Sequence, residues 1–366
     1  MTGIEREKPE RKEDFAKIAE PVLKGGRDIE EGAAKRVGEF LGAVAPESYT
    51  NDFYLPLDPG QVIPMFENFD GDESGKEAGH NRKIDLRRFI PKDKPFSSEE
   101  VARLENYALY HFMLNDVTPE ILRKYPDDHL KVLDVGSGPT IYQYILYSLL
   151  AGEIQPSDYE ESNIEATAIW LSDPVGWESY SESLSVALKK CGGEISQIAS
   201  PQVMERSANF SADWRSIDKY LQEIIKRPIS VDVFNDDLTK MESEPDIVNV
   251  NGTELLTSFF CIESAYNSDP EKWRKGIKNI CNKLNKDGFL VMSAITGAEW
   301  YKGENGKVVA TKVDSKMIAD ELELNGFEIV KLTDLICETE EEAISGGRGQ
   351  DYSGYSGMSL ILARKK

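Results

Sequence analysis

In the second half of this chain, short apolar runs alternate with stretches of helical period, which predicts a layered α/β domain. The first run is Val132, Leu133 and Val135, in Lys131-Val-Leu-Asp-Val-Gly-Ser-Gly138. Further strands are expected at 153–158, 229–234, 246–251 and 288–295, in a parallel sheet buried on both faces. Helices are expected at Ser162–Leu171, Ile217–Lys226 and Trp273–Leu284. Upstream, Ser97-Ser-Glu-Glu100 reads as a capping box opening a helix with the stripe Val101, Leu104, Ala108, His111 and Phe112. On that stripe His111 reads as a satisfied buried histidine rather than a base. Near the end, Asp314 caps a helix that Asn325-Gly326 terminates. Two strands follow, Phe327–Ile336 and Met358–Ala363, with no helix between them, so they should pair antiparallel.

The remaining segments lack a period. Residues 1–44 mix charges with few large apolar groups and read as a mobile or loosely helical arm. Residues 45–130 hold a proline-bounded aromatic stretch, Ala45-Pro-Glu-Ser-Tyr-Thr-Asn-Asp-Phe-Tyr-Leu-Pro56, and then the capped helix. That stretch is either a strap on the domain surface or a lid over a ligand. Turn and charge signals across 60–94 read as an exposed connection, and Asp70-Gly-Asp-Glu-Ser-Gly75 does not fit a calcium loop. Residues 131–366 form the main domain, with an insertion at about 178–227 rich in Ser, Gly and Trp.

Charge narrows the partners. With 43 Lys and Arg against 65 Asp and Glu, the formal charge is −22. Such a chain lacks the basic face that nucleic acid or an anionic membrane requires. The N-terminus lacks the apolar core of a signal peptide, so a cytoplasmic monomer acting on a small molecule is expected. The four cysteines, Cys191, Cys261, Cys281 and Cys337, are far apart in sequence and read as reduced structural thiols, with no metal site expected.

Chemistry concentrates after the first run. Gly136 and Gly138 remove the Cβ atoms that would keep a ligand from the backbone. A dinucleotide fingerprint needs a small residue three places after the second glycine, where this chain has Ile141. Pro139 and Thr140 suit the first turn of a helix instead. S-adenosylmethionine therefore ranks above NAD. Asp158, at the expected end of the second strand, can accept hydrogen bonds from both ribose hydroxyls. Asp232 by itself reads as a turn residue at a strand end.

Leu133-Asp-Val-Gly-Ser-Gly-Pro-Thr-Ile-Tyr-Gln143 resembles the first motif of the nicotinamide, phenylethanolamine and indolethylamine N-methyltransferase family. The resemblance continues through Ser157-Asp-Tyr159 with Asn163, Trp170-Leu171, Val231-Asp-Val233, Gly288-Phe-Leu-Val291, Glu299-Trp-Tyr301 and Leu360-Ile-Leu-Ala-Arg-Lys365. Pro46-Glu-Ser-Tyr-Thr-Asn-Asp-Phe-Tyr54 is similar to the family's tyrosine-bearing lid. The resemblance implies a Rossmann-like class I methyltransferase sheet, mostly parallel with a C-terminal antiparallel hairpin, and S-adenosylmethionine as cofactor. It implies that Tyr49 and Tyr54 close over that cofactor and that Gly136 and Gly138 admit its methionyl part. Asp134, Ser137 and Thr140 belong to the same motif, Tyr142 would meet the carboxylate end, Asp158, Tyr159 and Asn163 the ribose, and Asp232 and Val233 the adenine.

The acceptor side departs from the family. An acid expected just after the fifth strand is missing from Val291-Met-Ser-Ala-Ile-Thr-Gly-Ala298 unless Glu299 takes its role. A second family acid, after the fourth strand, corresponds to Glu263, with Glu254 as a fallback. Tyr301, Tyr352 and Tyr355 are candidates to line the acceptor pocket. The expected reaction is methyl transfer to a small amine or N-heteroaromatic nitrogen, with Glu263 or Glu299 orienting it. A thioether acceptor, a non-catalytic cofactor-binding protein and an NAD-dependent oxidoreductase are the alternatives.

Overall fold

In a computed structural model the described residues are 57–71, 81–90, 98–127, 129–172, 177–236, 238, 252–263, 269–303, 306–337 and 352–366. In chain order the helices are α1 (Pro59–Gly71), α2 (Ser98–His111), α3 (Thr118–Lys124), α4 (Tyr142–Tyr147), α5 (Glu161–Ser172), α6 (Glu178–Ile198), α7 (Pro201–Ala212), α8 (Arg215–Ile224), α9 (Pro270–Cys281) and α10 (Ser315–Leu324). The strands are β1 (Asn81–Asp85), β2 (Leu130–Val135), β3 (Ala151–Asp158), β4 (Ile229–Ser230), β5 (Thr253–Phe259), β6 (Leu284–Thr296), β7 (Trp300–Gly303), β8 (Gly306–Val309), β9 (Phe327–Ile336), β10 (Tyr352–Ser353) and β11 (Gly357–Lys365). The main sheet has the order β1-β9-β11-β6-β5-β2-β3-β4. β11 runs antiparallel to both of its neighbours, and every other pairing in that sheet is parallel. Without β1, this is the class I methyltransferase arrangement, closed by an antiparallel strand.

Period-two alternation divides the core between the two faces of the sheet. Val132, Leu360 and Leu362 join one buried cluster, which includes Phe66, Phe112, Tyr144 and Leu184 from the helices on that side. Leu133, Val135, Ile361 and Ala363 join the other, under Trp273 and Ile277 of α9 and Ile318 and Leu322 of α10. The N-cap of α10 is as expected: Asp314 Oδ1 accepts from Met317 N at 2.7 Å. The final two strands pair antiparallel as expected.

Three expectations need correction. The stretch 60–94 is not an exposed connection where it is described, for it contributes α1, β1 and a 3-10 turn at Leu86–Phe89. Val62, Phe66 and Phe69 of α1 are buried, although Pro64 removes one helical hydrogen bond. Next, the described strand that follows β4 is Thr253–Phe259, and 246–251 lies outside the described residues. Its Thr257 and Ser258 obscured the strand pattern, yet both are satisfied inside, by Asp134 Oδ1 at 2.6 Å and Val135 O at 3.0 Å. Last, the insertion is helical in α6 and α7. Buried Ser181, Ser183 and Ser185 masked a stripe that includes Leu184, Ala187, Leu188 and Ile195. The arm at 1–44 and the aromatic stretch with Tyr49 and Tyr54 lie outside the described residues, as does Ser97 of the capping box.

Candidate active site

The glycine turn caps β2. Gly136 and Gly138 have φ of +71° and +61°, the left-handed region that a Cβ disfavours. A Cβ on Gly136 would also collide with Sγ of Cys261. Gly136 N and Ser137 N donate to Ser157 O at 2.8 and 2.9 Å, tying the turn to the end of β3. From below, Gln143 Nε2 and Thr140 Oγ1 donate to Ser137 O at 2.8 and 3.1 Å. Thr140 and Gln143 thus act as braces, and the helix starts at Tyr142 rather than at Pro139. Asp134 lies under the turn, where it accepts from Thr257 Oγ1 at 2.6 Å and Gln143 Nε2 at 3.3 Å. Burial outweighs those hydrogen bonds and pushes its carboxyl up to about 7.

Asp158 ends β3. It accepts from Gly138 N at 2.7 Å, Glu160 N at 2.9 Å and Asn163 Nδ2 at 3.1 Å. The backbone N–H of Tyr159 is a further donor to this carboxyl group, which is thus met by neighbours on the turn, on the strand end and on α5. Burial is the main influence on Asp158 and raises its pKa. Beside it, Val231 N donates to Asp158 O at 2.9 Å, and Asp232 Oδ1 accepts from Phe234 N at 2.9 Å in the turn after β4. Asn279 Nδ2 fixes Val233 O at 2.9 Å. Tyr159 is close enough to Asp232 for that charge, after burial, to raise its hydroxyl pKa. Gly136, Gly138, Asp158, Asn163 and Asp232 thus line the C-terminal ends of β2, β3 and β4. Tyr142 is buried, its ring centroid 5.9 Å from Tyr180 and 6.3 Å from Trp177.

The acceptor-side candidates separate. Glu263, just beyond β5, is 2% exposed, with Oε1 accepting from Ile295 N at 3.1 Å and Oε2 buried without a hydrogen-bond partner. Burial pushes its carboxyl up to about 7. Thr311 N donates to Glu263 O at 2.8 Å, and Thr311 Oγ1 is a second buried polar atom without a partner. Glu299 has its side chain 58% exposed and pairs with Lys312 Nζ at 3.1 Å. The fallback Glu254 accepts from Lys131 N at 2.8 Å, before the turn at the far end of β2. Tyr355 is buried and its hydroxyl donates to Glu105 of α2. Tyr301 and Tyr352 face each other in the β7–β10 pairing, and their side chains lie outside the description.

Sequence reasoning missed Cys261, Trp177, Tyr180 and Glu105 as neighbours of the candidate residues. The thiol of Cys261 rests on Gly136, and burial together with the charges of Asp158, Glu263 and Asp134 raises its pKa. Phe260 before it has φ +52°, a strained value for an aromatic residue and one that directs the chain out of β5.

The profile of the NNMT/PNMT/TEMT family matches residues 108–366. The chain belongs to this family. Mouse phenylethanolamine N-methyltransferase is 24% identical over 204 residues, covering 55% of this chain and 61% of the mouse protein. The chain therefore spans less than two thirds of that relative. Human nicotinamide N-methyltransferase is 26% identical over 280 residues, 76% of this chain and 92% of the human protein. A solved structure of a methyltransferase from Methanosarcina mazei aligns over 67% of this chain and 96% of its own at 13% identity, with a TM-score of 0.39. The family region begins near the end of α2, so α1, β1 and most of α2 precede it.

Membership in the NNMT/PNMT/TEMT family implies S-adenosylmethionine as cofactor, and the residues present fit it. At Gly138 the turn leaves open space where a Cβ would stand, with only Thr140 Oγ1 at 3.9 Å, while Cys261 fills that position at Gly136; Asp158 ends β3, and Asp232 follows β4, one strand further along. No helix among the described residues is long and apolar enough to cross a membrane.

Proposed function

We propose that this protein transfers a methyl group from S-adenosylmethionine to a small amine or N-heteroaromatic nitrogen. The observation that carries the reading is Glu263 Oε2, buried without a partner past the end of β5 and one element from the glycine turn. When bound, the cofactor supplies a sulfonium-activated methyl. The acceptor lone pair would become the new nitrogen–carbon bond, the electrons of the broken sulfur–carbon bond would stay on sulfur, and the positive charge would pass to the acceptor nitrogen. Glu263 is suited to hold that nitrogen in line and, for an amine, to take its proton, because its carboxyl changes charge near neutral pH. Glu299 is the lesser candidate, since it is solvated and already paired.

In this reading Gly136 and Gly138 admit the methionyl part, Asp158 with Asn163 and Tyr159 hold the ribose, and Asp232 and Val233 meet the adenine. Asp134, Ser137 and Thr140 hold the turn. Tyr142, backed by Trp177 and Tyr180, faces the carboxylate end, while Tyr49 and Tyr54 close as a lid. Tyr301, Tyr352 and Tyr355 belong to the acceptor side. The formal charge of −22 argues against nucleic acid as a partner, and we read the protein as a monomer acting in the cytoplasm on a small molecule.

The test is transfer of labelled methyl to a panel of pyridines, arylethylamines and thioethers. We expect turnover on a nitrogen acceptor, reduced about 10²-fold or more by Glu263→Gln and little changed by Glu299→Gln. Transfer to thioethers alone would make the protein an S-methyltransferase. Cofactor binding with no turnover on any acceptor would make it a non-catalytic binding protein.

A further inference from the structure

Three buried carboxyl groups act electrostatically on the thiol of Cys261. Asp134, Asp158 and Glu263 are 1%, 6% and 2% exposed, and all three charges act on that thiol, which itself rests on Gly136. Among the described residues none of the three is ion-paired with a Lys, Arg or His. Around Asp134 stand Tyr144 and Tyr147 of α4, Thr257 of β5, Asp158 of β3 and Cys261. Asp158 is met by backbone N–H groups and Asn163. Glu263 is met by Ile295 N and Cys261, and the nearby Lys312 is engaged with Glu299. Among the described residues the site therefore gathers three buried carboxyl groups with no cation paired to them, and one carboxyl oxygen, Glu263 Oε2, has no hydrogen-bond partner.

A buried acid without a counter-ion binds its proton, and a fixed positive charge arriving beside it reverses that balance. S-adenosylmethionine carries such a charge on sulfur, and S-adenosylhomocysteine, the demethylated product, does not. We infer that Asp134 and Glu263, with Asp158 between them and the ligand's ribose side, make the pocket a sulfonium selector that sheds protons to solvent when S-adenosylmethionine binds and takes them back as the neutral product forms. The inference rests on the glycine turn being the cofactor site. It gives the pocket a means of product release: the charge that held the cofactor leaves with the methyl group, and the acids no longer favour the neutral sulfur.

The sign follows from linkage. In the free protein Asp134 and Glu263 each titrate at about 7. The sulfonium lowers those values, so proton release accompanies its binding below about pH 7, and its affinity relative to the neutral product grows as pH rises through that window. Titration calorimetry with S-adenosylmethionine and with S-adenosylhomocysteine, in two buffers of different ionisation enthalpy, reads this directly. We expect the ratio of the two dissociation constants to shift at least about fivefold toward S-adenosylmethionine between about pH 5.5 and about pH 7.5. Protons should be released with the sulfonium ligand and not with the neutral one. Asp134→Asn and Glu263→Gln, checked for native circular dichroism, should each flatten the dependence. Equal pH dependence of the two ligands in the unaltered protein would overturn the inference while leaving the cofactor site standing. Binding of neither ligand would overturn the cofactor reading, and this inference with it.

Discussion

Gly136 shows how one missing carbon can control a site. Its φ of +71° costs a Cβ-bearing residue about 1 kcal/mol, and the added carbon would also collide with Cys261. Gly326, at φ +85°, has nothing within 4 Å of its missing Cβ. The pair separates backbone strain from pocket damage. Gly326→Ala should cost about 1 kcal/mol of stability and leave S-adenosylhomocysteine affinity within about twofold. Gly136→Ala should weaken that affinity about tenfold or more, measured by calorimetry, and equal effects would contradict the close approach assigned to the turn. At this scale the sequence was legible where chemistry and chain order coincide. Asp158 and Asn163 are five residues apart and meet directly. Glu105 and Tyr355, 250 residues apart, could not be paired from spacing.

Among the elements, the buried strands were legible because their apolar runs carry few polar residues, as in β2 and β11. β5 was displaced because Thr257 and Ser258 are satisfied by partners on the neighbouring strand, and local sequence cannot reveal those partners. α1 was missed for a related reason: its stripe of Val62, Phe66 and Phe69 is interrupted by Pro64 and flanked by turn residues. Tertiary contacts hold it. Tyr107 of α2 is 2% exposed, and its hydroxyl donates to Asp58 O at 3.0 Å while accepting from Asp58 N at 2.9 Å. His111, at the end of α2, bonds Asp70 near the end of α1 at 2.7 Å, so the buried-histidine reading holds. Tyr107→Phe removes two hydrogen bonds to one backbone unit and should cost about 1–2 kcal/mol in urea unfolding. An unchanged midpoint would show that α1 is held by its apolar stripe alone.

In the whole molecule the family profile covers residues 108–366, and α1, β1 and most of α2 precede it. The order of strands brings Gly136, Asp158, Asp232 and Glu263 to one edge of the sheet, because parallel strands all end on the same side. The family motif carried that topology into the sequence, whereas β1 and α1 lie outside the matched region and had no such guide. Among the described residues the same edge gathers the buried acids Asp134, Asp158 and Glu263, which fits a cationic ligand. The central claim is that this edge binds S-adenosylmethionine through Asp158. Calorimetric titration of S-adenosylmethionine into the unaltered protein and into Asp158→Ala tests it most directly. Saturable one-to-one binding, weakened about tenfold or more by the substitution, is the predicted result; no binding, or equal affinity in the two proteins, would contradict it.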